Sequence, residues 1–156
     1  MHAEWLAQGA EQMRELGGRI ARALWASPAH DSLLITLSGD LGAGKTTLVG
    51  GILNALGHVG PTRSPTYTLL EPYRFAGRDV VHCDFYRLRH PDEIDDLGLR
   101  DLQGPGSVLL VEWPEKAADR LGTVDLSLTL AYSGDEARSV QAAAHTTAGA
   151  VVLGRL

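Results

Sequence analysis

The order of apolar and polar residues predicts two helices and a buried strand in the first third of the chain. Residues 33–37, LLITL, are a continuous apolar run of strand length. Residues 4–25 and 46–57 repeat apolar side chains at helical spacing, so each segment is predicted to be a helix with one apolar face. We expect the first helix to end at Ser27-Pro28 and the second at Gly57. The apolar positions are Leu6, Met13, Leu16, Ile20 and Leu24, followed by Leu48, Ile52, Leu53 and Leu56.

Two adjacent glycines, Gly50 and Gly51, lie inside the second helical pattern. A glycine in a helix interior costs about 1 kcal/mol relative to alanine. We expect this cost to be offset by close packing of the helix on the sheet.

The remainder of the chain alternates strand patterns with polar segments. The strand patterns at residues 67–75 and 79–86 are separated by a short Ala-Gly-Arg turn, which predicts a hairpin. Those at residues 125–132 and 138–145 are expected to form an antiparallel pair at a sheet edge. Together these patterns predict a single α/β domain over residues 1–156 with a mixed, partly antiparallel central sheet. The predicted strands are residues 67–75, 79–86, 107–113, 125–132 and 138–145, with a loop at 62–66 and short helical segments at 91–102 and 114–122.

The composition limits the cellular compartment in which the protein is expected and the molecules that it is expected to bind. The chain carries a net charge of −5, which argues against a broad binder of nucleic-acid phosphates and leaves open a local basic patch that touches RNA. No apolar run approaches the roughly 18 residues of a membrane span, and the first residues do not resemble a signal peptide. Cys83 is the single cysteine, which excludes an internal disulfide and predicts a reducing, cytoplasmic location.

The segment between the first buried strand and the second helix is GDLGAGKT, Gly39–Thr46, which fits the phosphate-loop pattern at every position. Glycines let consecutive backbone N–H groups point at phosphate oxygens, and the helix N-terminus adds to the attraction. Of the 14 basic residues only Lys45 and Lys116 are lysines, so the use of Lys45 here, where a slim ammonium is needed, supports the motif. The residues predicted to contact the nucleotide phosphates are Asp40, Leu41, Gly42, Ala43, Gly44, Lys45, Thr46 and Thr47, with the Thr46 hydroxyl on Mg²⁺.

Two acids follow predicted strands. Glu112 lies at the end of the predicted strand in SVLLVEW. Burying an unpaired carboxylate costs free energy, so we expect Glu112 to lie near a positive charge, and the phosphate loop makes Mg²⁺ the candidate. The alternative is that Glu112 only caps the helix at Pro114. Asp84 ends the strand VVHCD and is predicted to be a second carboxylate of the same site, with an ion pair to Arg87 or Arg89 as the alternative. His82 lies on the same face of that strand, but two ligands do not make a metal site, so a structural role is expected.

Thr66 and Trp113 are further candidates. Thr66 follows Pro65 in a loop where nucleotide switches place a threonine that senses the terminal phosphate, and an ordinary Ser-Pro turn explains it equally well. Trp113 is expected either to stack near the nucleotide or a partner, or to fill space under the sheet. The DDLG segment at residues 95–98 imitates a GTPase motif, but no strand precedes it and no N-K-x-D segment is present.

The segments GDLGAGKTT, SPTYTLLEPY, HCDFYRL and VEWPEKA occur in this order, and with them the chain resembles the TsaE (YjeE) family of small bacterial ATPases over about residues 10–140. The resemblance implies a P-loop NTPase-like three-layer fold, with ATP and Mg²⁺ as ligands. It also implies a part in the threonylcarbamoyl modification of adenosine 37 in tRNAs that read codons starting with adenine, together with the TsaB–TsaD complex and with contact to tRNA that is indirect at most.

The resemblance also implies roles for single residues. Lys45 and Thr46 hold phosphates and Mg²⁺, Glu112 is the acid of the metal site, and Asp84 is its second, needed carboxylate.

At the border of the site the resemblance places Trp113 beside the nucleotide and Thr66 in a mobile loop. Arg138, with the first helix, is placed around the adenine, although the match is looser there.

Together with the resemblance, the motifs predict a Mg²⁺-dependent ATPase that is slow without its partners, because no arginine finger is evident in the motifs and a partner is expected to order the site. Two other classes stay open on the residues alone. One is a small-molecule kinase that uses the same loop, and the other is a nucleotide-switched binding module with little turnover.

Overall fold

The computed structural model describes residues 1–28, 32–117 and 119–156. Its strands and helices are, in chain order, β1 (His2–Gln8), α1 (Gly9–Ala26), β2 (Leu33–Ser38), α2 (Lys45–Ala55), β3 (Leu70–Phe75), β4 (Arg78–Asp84), a first 3-10 helix (Pro91–Leu97), α3 (Leu99–Leu102), β5 (Val108–Glu112), a second 3-10 helix (Pro114–Ala117), β6 (Leu126–Ser133), β7 (Ala137–Ala144) and α4 (Thr147–Leu153).

The strands of the described residues form one sheet in the order β1-β7-β6-β2-β5-β4-β3. The central strands β6, β2, β5 and β4 run parallel to one another. The outer pairs β1–β7, β7–β6 and β4–β3 are antiparallel. The predicted mixed sheet and the predicted hairpin are therefore confirmed, although β3 begins at Leu70, later than predicted.

The central strands are covered on both faces, which gives the α/β fold its three layers. Side chains of β2 alternate between two apolar clusters: Ile35 packs with α1, α2 and α4, and Leu34 packs with the short helices on the other face. A strand buried on both sides has no polar face, which explains the continuous apolar run in LLITL. None of the helices in the described ranges is long and apolar enough to cross a membrane.

The N-terminus differs from the prediction. Residues 2–8 form strand β1, and the helix begins at Gly9 rather than at residue 4. Trp5 pairs in register with Val140 and turns toward the core, whereas Leu6, one of the predicted apolar helix positions, is 56% exposed. The inward positions in β1 repeat every second residue, which is the period of a strand. Because β1 pairs with β7, the predicted edge position of the β6–β7 pair is also wrong.

Helices α1 and α2, which lie on the same side of the sheet, meet at glycines. A Cβ on Gly51 would lie 2.3 Å from the backbone oxygen of Arg14 in α1, and one on Gly17 would lie 2.4 Å from that of Leu48 in α2. A Cβ on Gly50 would face Thr62 at 3.4 Å. The expectation that these glycines bring α2 close to the sheet is therefore wrong, since Gly51 allows α2 to approach α1.

The sequence patterns did not predict the C-terminal helix α4. Its first turn is held by Thr146, whose hydroxyl accepts a hydrogen bond from Gly149 N at 3.1 Å and donates one to Asp125 Oδ1 at 2.6 Å. Gly149 is required at this contact, because a Cβ there would lie 1.9 Å from the Asp125 backbone oxygen. A tertiary contact, rather than local periodicity, sets where this helix begins.

Candidate functional site

The loop between β2 and α2 has the backbone shape that its glycines predict. Gly39, Gly42 and Gly44 have φ values of +144°, +81° and +106°, which side-chain-bearing residues rarely adopt. A Cβ on Gly39 would lie 2.3 Å from Leu130 O, and one on Gly42 would lie 2.7 Å from the Tyr132 hydroxyl. The loop thus packs closely against Leu130 and Tyr132 of β6, and the N-terminus of α2 opens onto it.

Lys45 begins α2 and is 5% exposed. Its ammonium donates hydrogen bonds to the carbonyls of Gly39 and Asp40 and lies 4.3 Å from the centre of the Trp113 ring. Burial lowers the pKa of Lys45, while the negative charge of Glu112 opposes that shift. The cation is therefore held inside the curl of the loop, close to a carboxylate of β5.

Thr46 and Glu112 are in direct contact. The Thr46 hydroxyl lies 3.0 and 3.2 Å from the two carboxylate oxygens of Glu112 and donates to them, and it accepts from the Ser64 hydroxyl at 2.7 Å. Glu112 is 2% exposed, and His82 Nε2 lies 2.5 Å from its Oε2. The buried carboxylate thus has three polar neighbours around it in Thr46, His82 and, at longer range, the charge of Lys45. These contacts do not involve the helix that begins at Pro114.

Asp84 lies beside Glu112. Strands β4 and β5 are parallel, and Asp84 is the register partner of Glu112, so both side chains leave the same end and face of the sheet. Asp84 Oδ1 accepts a hydrogen bond from Tyr86 N at 2.9 Å. In the described ranges no ion pair joins Asp84 to Arg87 or Arg89, which was the alternative for this residue. The topology brings the two carboxylates together at the phosphate loop.

Trp113 follows Glu112 with a φ of +57°, a strained value for a tryptophan. Its backbone N–H still donates to Leu37 O at 3.3 Å, and its ring centre is 5.0 Å from that of Tyr86. Where the chain leaves β5, the Trp113 ring lies next to the Lys45 ammonium and packs against the apolar cluster that contains Leu34.

These residues surround a cavity of about 330 Å³ at the carboxyl ends of β2, β4 and β5. Ligands of open α/β sheets bind at this end of the strands. In the described ranges no group of three or more His, Cys, Asp or Glu side chains could hold a metal by itself. The cavity is lined by Leu41, Gly42, Gly44, Lys45, Thr46, Thr47, Ser64, Thr66, Asp84, Tyr86, Arg87, Glu112 and Trp113.

A family model described as "Threonylcarbamoyl adenosine biosynthesis protein TsaE" matches residues 7–140. The chain belongs to the TsaE family. It is 40% identical to the tRNA threonylcarbamoyladenosine biosynthesis protein TsaE of Haemophilus influenzae over 137 residues, which cover 88% of this chain and 86% of that protein. The protein of the same name from Bacillus subtilis is 36% identical over 117 residues, or 75% of this chain and 73% of that one. The crystal structure of Bacillus subtilis YdiB matches the fold with a TM-score of 0.77 at 26% identity, over 99% of this chain and 93% of that chain.

The resemblance to TsaE proteins that the motifs indicated is thus confirmed. Most residues predicted for the site of this TsaE-family chain line the cavity, while Asp40 and Ala43 belong to the loop without lining it. Ala43 is fully buried beneath the loop, and Asp40 contributes its carbonyl to Lys45. Thr66 lines the cavity, and its hydroxyl donates to Ser64 O at 3.2 Å.

Arg138 lies outside the cavity lining. Its guanidinium stacks 4.1 Å from the centre of the Tyr132 ring and donates to Ala137 O at 2.9 Å. Tyr132 in turn donates to Leu41 O at 3.0 Å. Arg138 therefore reaches the phosphate loop of the TsaE-family site through Tyr132, on the flank of the loop.

Four residues of the site were not predicted as part of it. Ser64, Tyr86 and Arg87 line the cavity, and His82 contacts Glu112. The period-two spacing of His82 and Asp84 already places both on one face of β4, so that signal was present. The position of Ser64 against Thr46 has no local signal, because it depends on how the loop folds over α2.

Proposed function

We propose that this TsaE-family chain binds ATP with Mg²⁺ in the cavity at the phosphate loop and hydrolyses it to ADP and phosphate. We further propose that it does so as a cytoplasmic subunit of the machinery for threonylcarbamoyl modification of adenosine 37 in tRNA, acting with the TsaB–TsaD complex. Membership of the TsaE family supports the pathway, and the names of the H. influenzae and B. subtilis relatives point to the same pathway. The chemistry is supported by the site.

The residues present suit a nucleotide phosphate and Mg²⁺. The positive φ values of Gly42 and Gly44 curl the loop so that the N-terminus of α2 opens onto the cavity, and a Cβ at either glycine would meet Tyr132 at 2.7 Å or Met13 at 3.0 Å. Mg²⁺ prefers oxygen ligands and completes its shell with phosphate oxygens and waters rather than with an all-protein cage. Thr46, Glu112 and Asp84 supply a hydroxyl and two carboxylates, which matches that preference.

The single observation that carries the proposal is the contact between Thr46 and Glu112 with Asp84 in register beside them. A phosphate-loop hydroxyl that touches a strand-end carboxylate is the arrangement in which both hold one Mg²⁺, directly or through water. The hydrogen bond from His82 keeps the carboxylate turned toward Thr46. Mg²⁺, when bound, neutralises part of the charge on the phosphate oxygens.

The remaining residues then have defined tasks. The Lys45 ammonium exchanges its loop carbonyls for the β- and γ-phosphate oxygens, which is easier because burial already destabilises it there. Asp84 orients the water that attacks the γ-phosphorus, while the bond to the bridging oxygen breaks, ADP leaves with its electron pair, and the protons of the water stay with the released phosphate. Glu112, in contact with Thr46, would hold the metal.

The test is release of labelled phosphate from ATP by the purified protein, alone and with TsaB–TsaD. We expect slow, Mg²⁺-dependent release that the partners stimulate, and loss of both binding and turnover in Lys45→Ala. Lys116→Ala is the matched control, because Lys116 is the other lysine of the chain and does not line the cavity.

Other outcomes identify the competing functions. Label that appears on a metabolite in place of free phosphate would indicate a small-molecule kinase. Tight nucleotide binding without turnover, with or without partners, would indicate a nucleotide-switched binding module. Unchanged turnover in Lys45→Ala would remove the phosphate loop from the reaction.

A further inference from the structure

Arg87 is a cationic residue at the cavity to which the proposed function gives no task. It lies in the turn after β4 and lines the same cavity as Lys45, Asp84 and Glu112. Buried side chains flank it on the turn: Phe85 and Leu88 are 0% and 6% exposed. The backbone N–H of Phe85 donates to Glu112 O at 3.1 Å, so the turn is tied to the strand that carries the metal-site acid. The position of the Arg87 backbone is therefore set by the fold.

Among the residues that the structure describes, no acid forms an ion pair with the Arg87 guanidinium. Within the described ranges it takes part in no ion pair and no side-chain hydrogen bond, and it lies 5.6 Å from the centre of the Tyr67 ring. Arg120, in contrast, is paired with Asp92 and Asp95. A tyrosine ring within about 6 Å attracts a guanidinium without neutralising it, so the donors of Arg87 stay available.

The charges on the cavity wall show what this cation adds. Lys45 and Arg87 bring two positive charges, and Asp84 and Glu112 bring two negative ones. Without Arg87 the wall would be net negative, although a Mg²⁺–triphosphate complex is itself an anion. Lys45 is fixed in the curl of the phosphate loop. A second cation on the wall, outside that loop, is therefore suited to the charge that a triphosphate carries beyond that of a diphosphate.

Tyr67 connects this cation to the loop before β3. It is 88% exposed and immediately follows Thr66, and the same loop carries Ser64, whose hydroxyl donates to Thr46. The contact between Arg87 and Tyr67 thus spans the cavity mouth between two loops that both contribute lining residues.

We propose that Arg87 binds the terminal phosphate of the nucleotide, so that this chain carries its own arginine for the γ-phosphate and distinguishes ATP from ADP with it. The inference rests on the proposed function of the cavity as an ATP site. The motifs alone made no arginine finger evident, and the position of Arg87 at the cavity comes from the structure. Guanidinium groups suit the task because they form paired, charge-assisted hydrogen bonds to phosphate.

The experiment measures the binding of a non-hydrolysable ATP analogue and of ADP, both with Mg²⁺, by calorimetry. The proteins are the wild type, Arg87→Ala, Arg87→Lys and, as matched control, Arg89→Ala. Arg89 lies two positions further on, is exposed and does not line the cavity. Binding is measured rather than turnover, so that slow hydrolysis cannot obscure the result.

We expect Arg87→Ala to bind the analogue at least about tenfold more weakly, the loss expected for one charge-assisted hydrogen bond, and to bind ADP within about twofold of the wild type. Arg87→Lys is expected to fall between, because an ammonium keeps the charge but loses the paired geometry. Arg89→Ala is expected to bind both nucleotides as the wild type does. If circular dichroism shows that Arg87→Ala is unstable, Arg87→Lys provides the test. Its affinity for the ATP analogue is then expected to fall relative to its affinity for ADP, and an unchanged ratio of the two affinities would overturn the inference.

Three results would overturn the inference: unchanged affinity for the analogue in Arg87→Ala, an equal loss for ADP and the analogue, or the same loss in Arg89→Ala. The second would mean a general electrostatic effect and the third a nonspecific one. Failure of the proposed function has a different signature, since the wild type itself would then bind neither nucleotide.

Discussion

Replacing Gly51 by alanine is expected to destabilise the protein, whereas the same replacement at its neighbour Gly50 is not. Both glycines are buried in α2, and alanine favours a helix over glycine by about 1 kcal/mol at either position. The two sites differ in what the new methyl group meets. At Gly51 it would lie 2.3 Å from the Arg14 backbone oxygen, and at Gly50 it would lie 3.4 Å from the Thr62 side chain.

The distances at the two glycines determine the expected changes in the free energy of unfolding. A relaxed contact between carbon and oxygen is about 3.3 Å, so α1 and α2 would have to separate by about 1 Å to accept alanine at Gly51. Overpacking of this kind costs about 1–3 kcal/mol, and the upper end applies because a backbone atom cannot rotate away. After the helix-propensity gain, we expect Gly51→Ala to lose about 2 kcal/mol and Gly50→Ala to gain up to about 1 kcal/mol.

The assay is urea unfolding followed by circular dichroism, with thermal unfolding as a second measurement. For a chain of this length a loss of about 2 kcal/mol lowers the Tm by roughly 4–8 °C. The slopes of the urea transitions should agree with the wild type, so that the midpoints report stability. If both variants move in the same direction by the same amount, the close approach of α1 and α2 does not depend on Gly51 and the packing argument is refuted.

Three further predictions concern the site and the core. Burial lowers the pKa of Lys45 in the folded protein, so the unfolded chain holds more protons between that lowered pKa and the ordinary value. Stability should therefore rise with pH across this alkaline window in the wild type, and urea midpoints should show no such rise in Lys45→Met. Glu112→Gln should keep the contact with Thr46 but need roughly 10–100-fold more Mg²⁺ for half-maximal turnover, and an unchanged Mg²⁺ titration would return Glu112 to a structural role. Burial raises the pKa of Cys83 to about 12, so a thiol reagent at neutral pH should label the protein only after unfolding, and labelling of the folded protein would contradict its buried position.

The phosphate loop is a part of the structure that the local sequence alone predicts. The positive φ values of Gly39, Gly42 and Gly44 and the start of α2 at Lys45 follow from residues that are neighbours along the chain. The same holds for the apolar strands β2 and β5, whose runs of aliphatic residues leave no polar face. Each of these predictions needs only a short window, and each agrees with the structure.

The N-terminus shows where local patterns fail. Residues 4–25 fit a helix, yet residues 2–8 form a strand because β7 offers them a free edge, with His2 opposite Ala143. A pairing between the two ends of the chain outweighs the weak preference of a short segment. The prediction for the glycines of α2 was wrong for a similar reason. Gly51 is required by its contact with α1, and no pattern within α2 reveals that contact.

The sequence by itself determined the chemistry that the site can use: a glycine-shaped anion loop with one lysine and one hydroxyl, and acids at two strand ends. The tertiary structure alone decided which groups meet. It paired Asp84 with Glu112 in register, set His82 against the carboxylate of Glu112, and brought Arg87 to the same cavity. The reason is that backbone conformation is governed by adjacent residues, whereas side-chain neighbours across a sheet are governed by strand order and register, which depend on the packing of the whole chain.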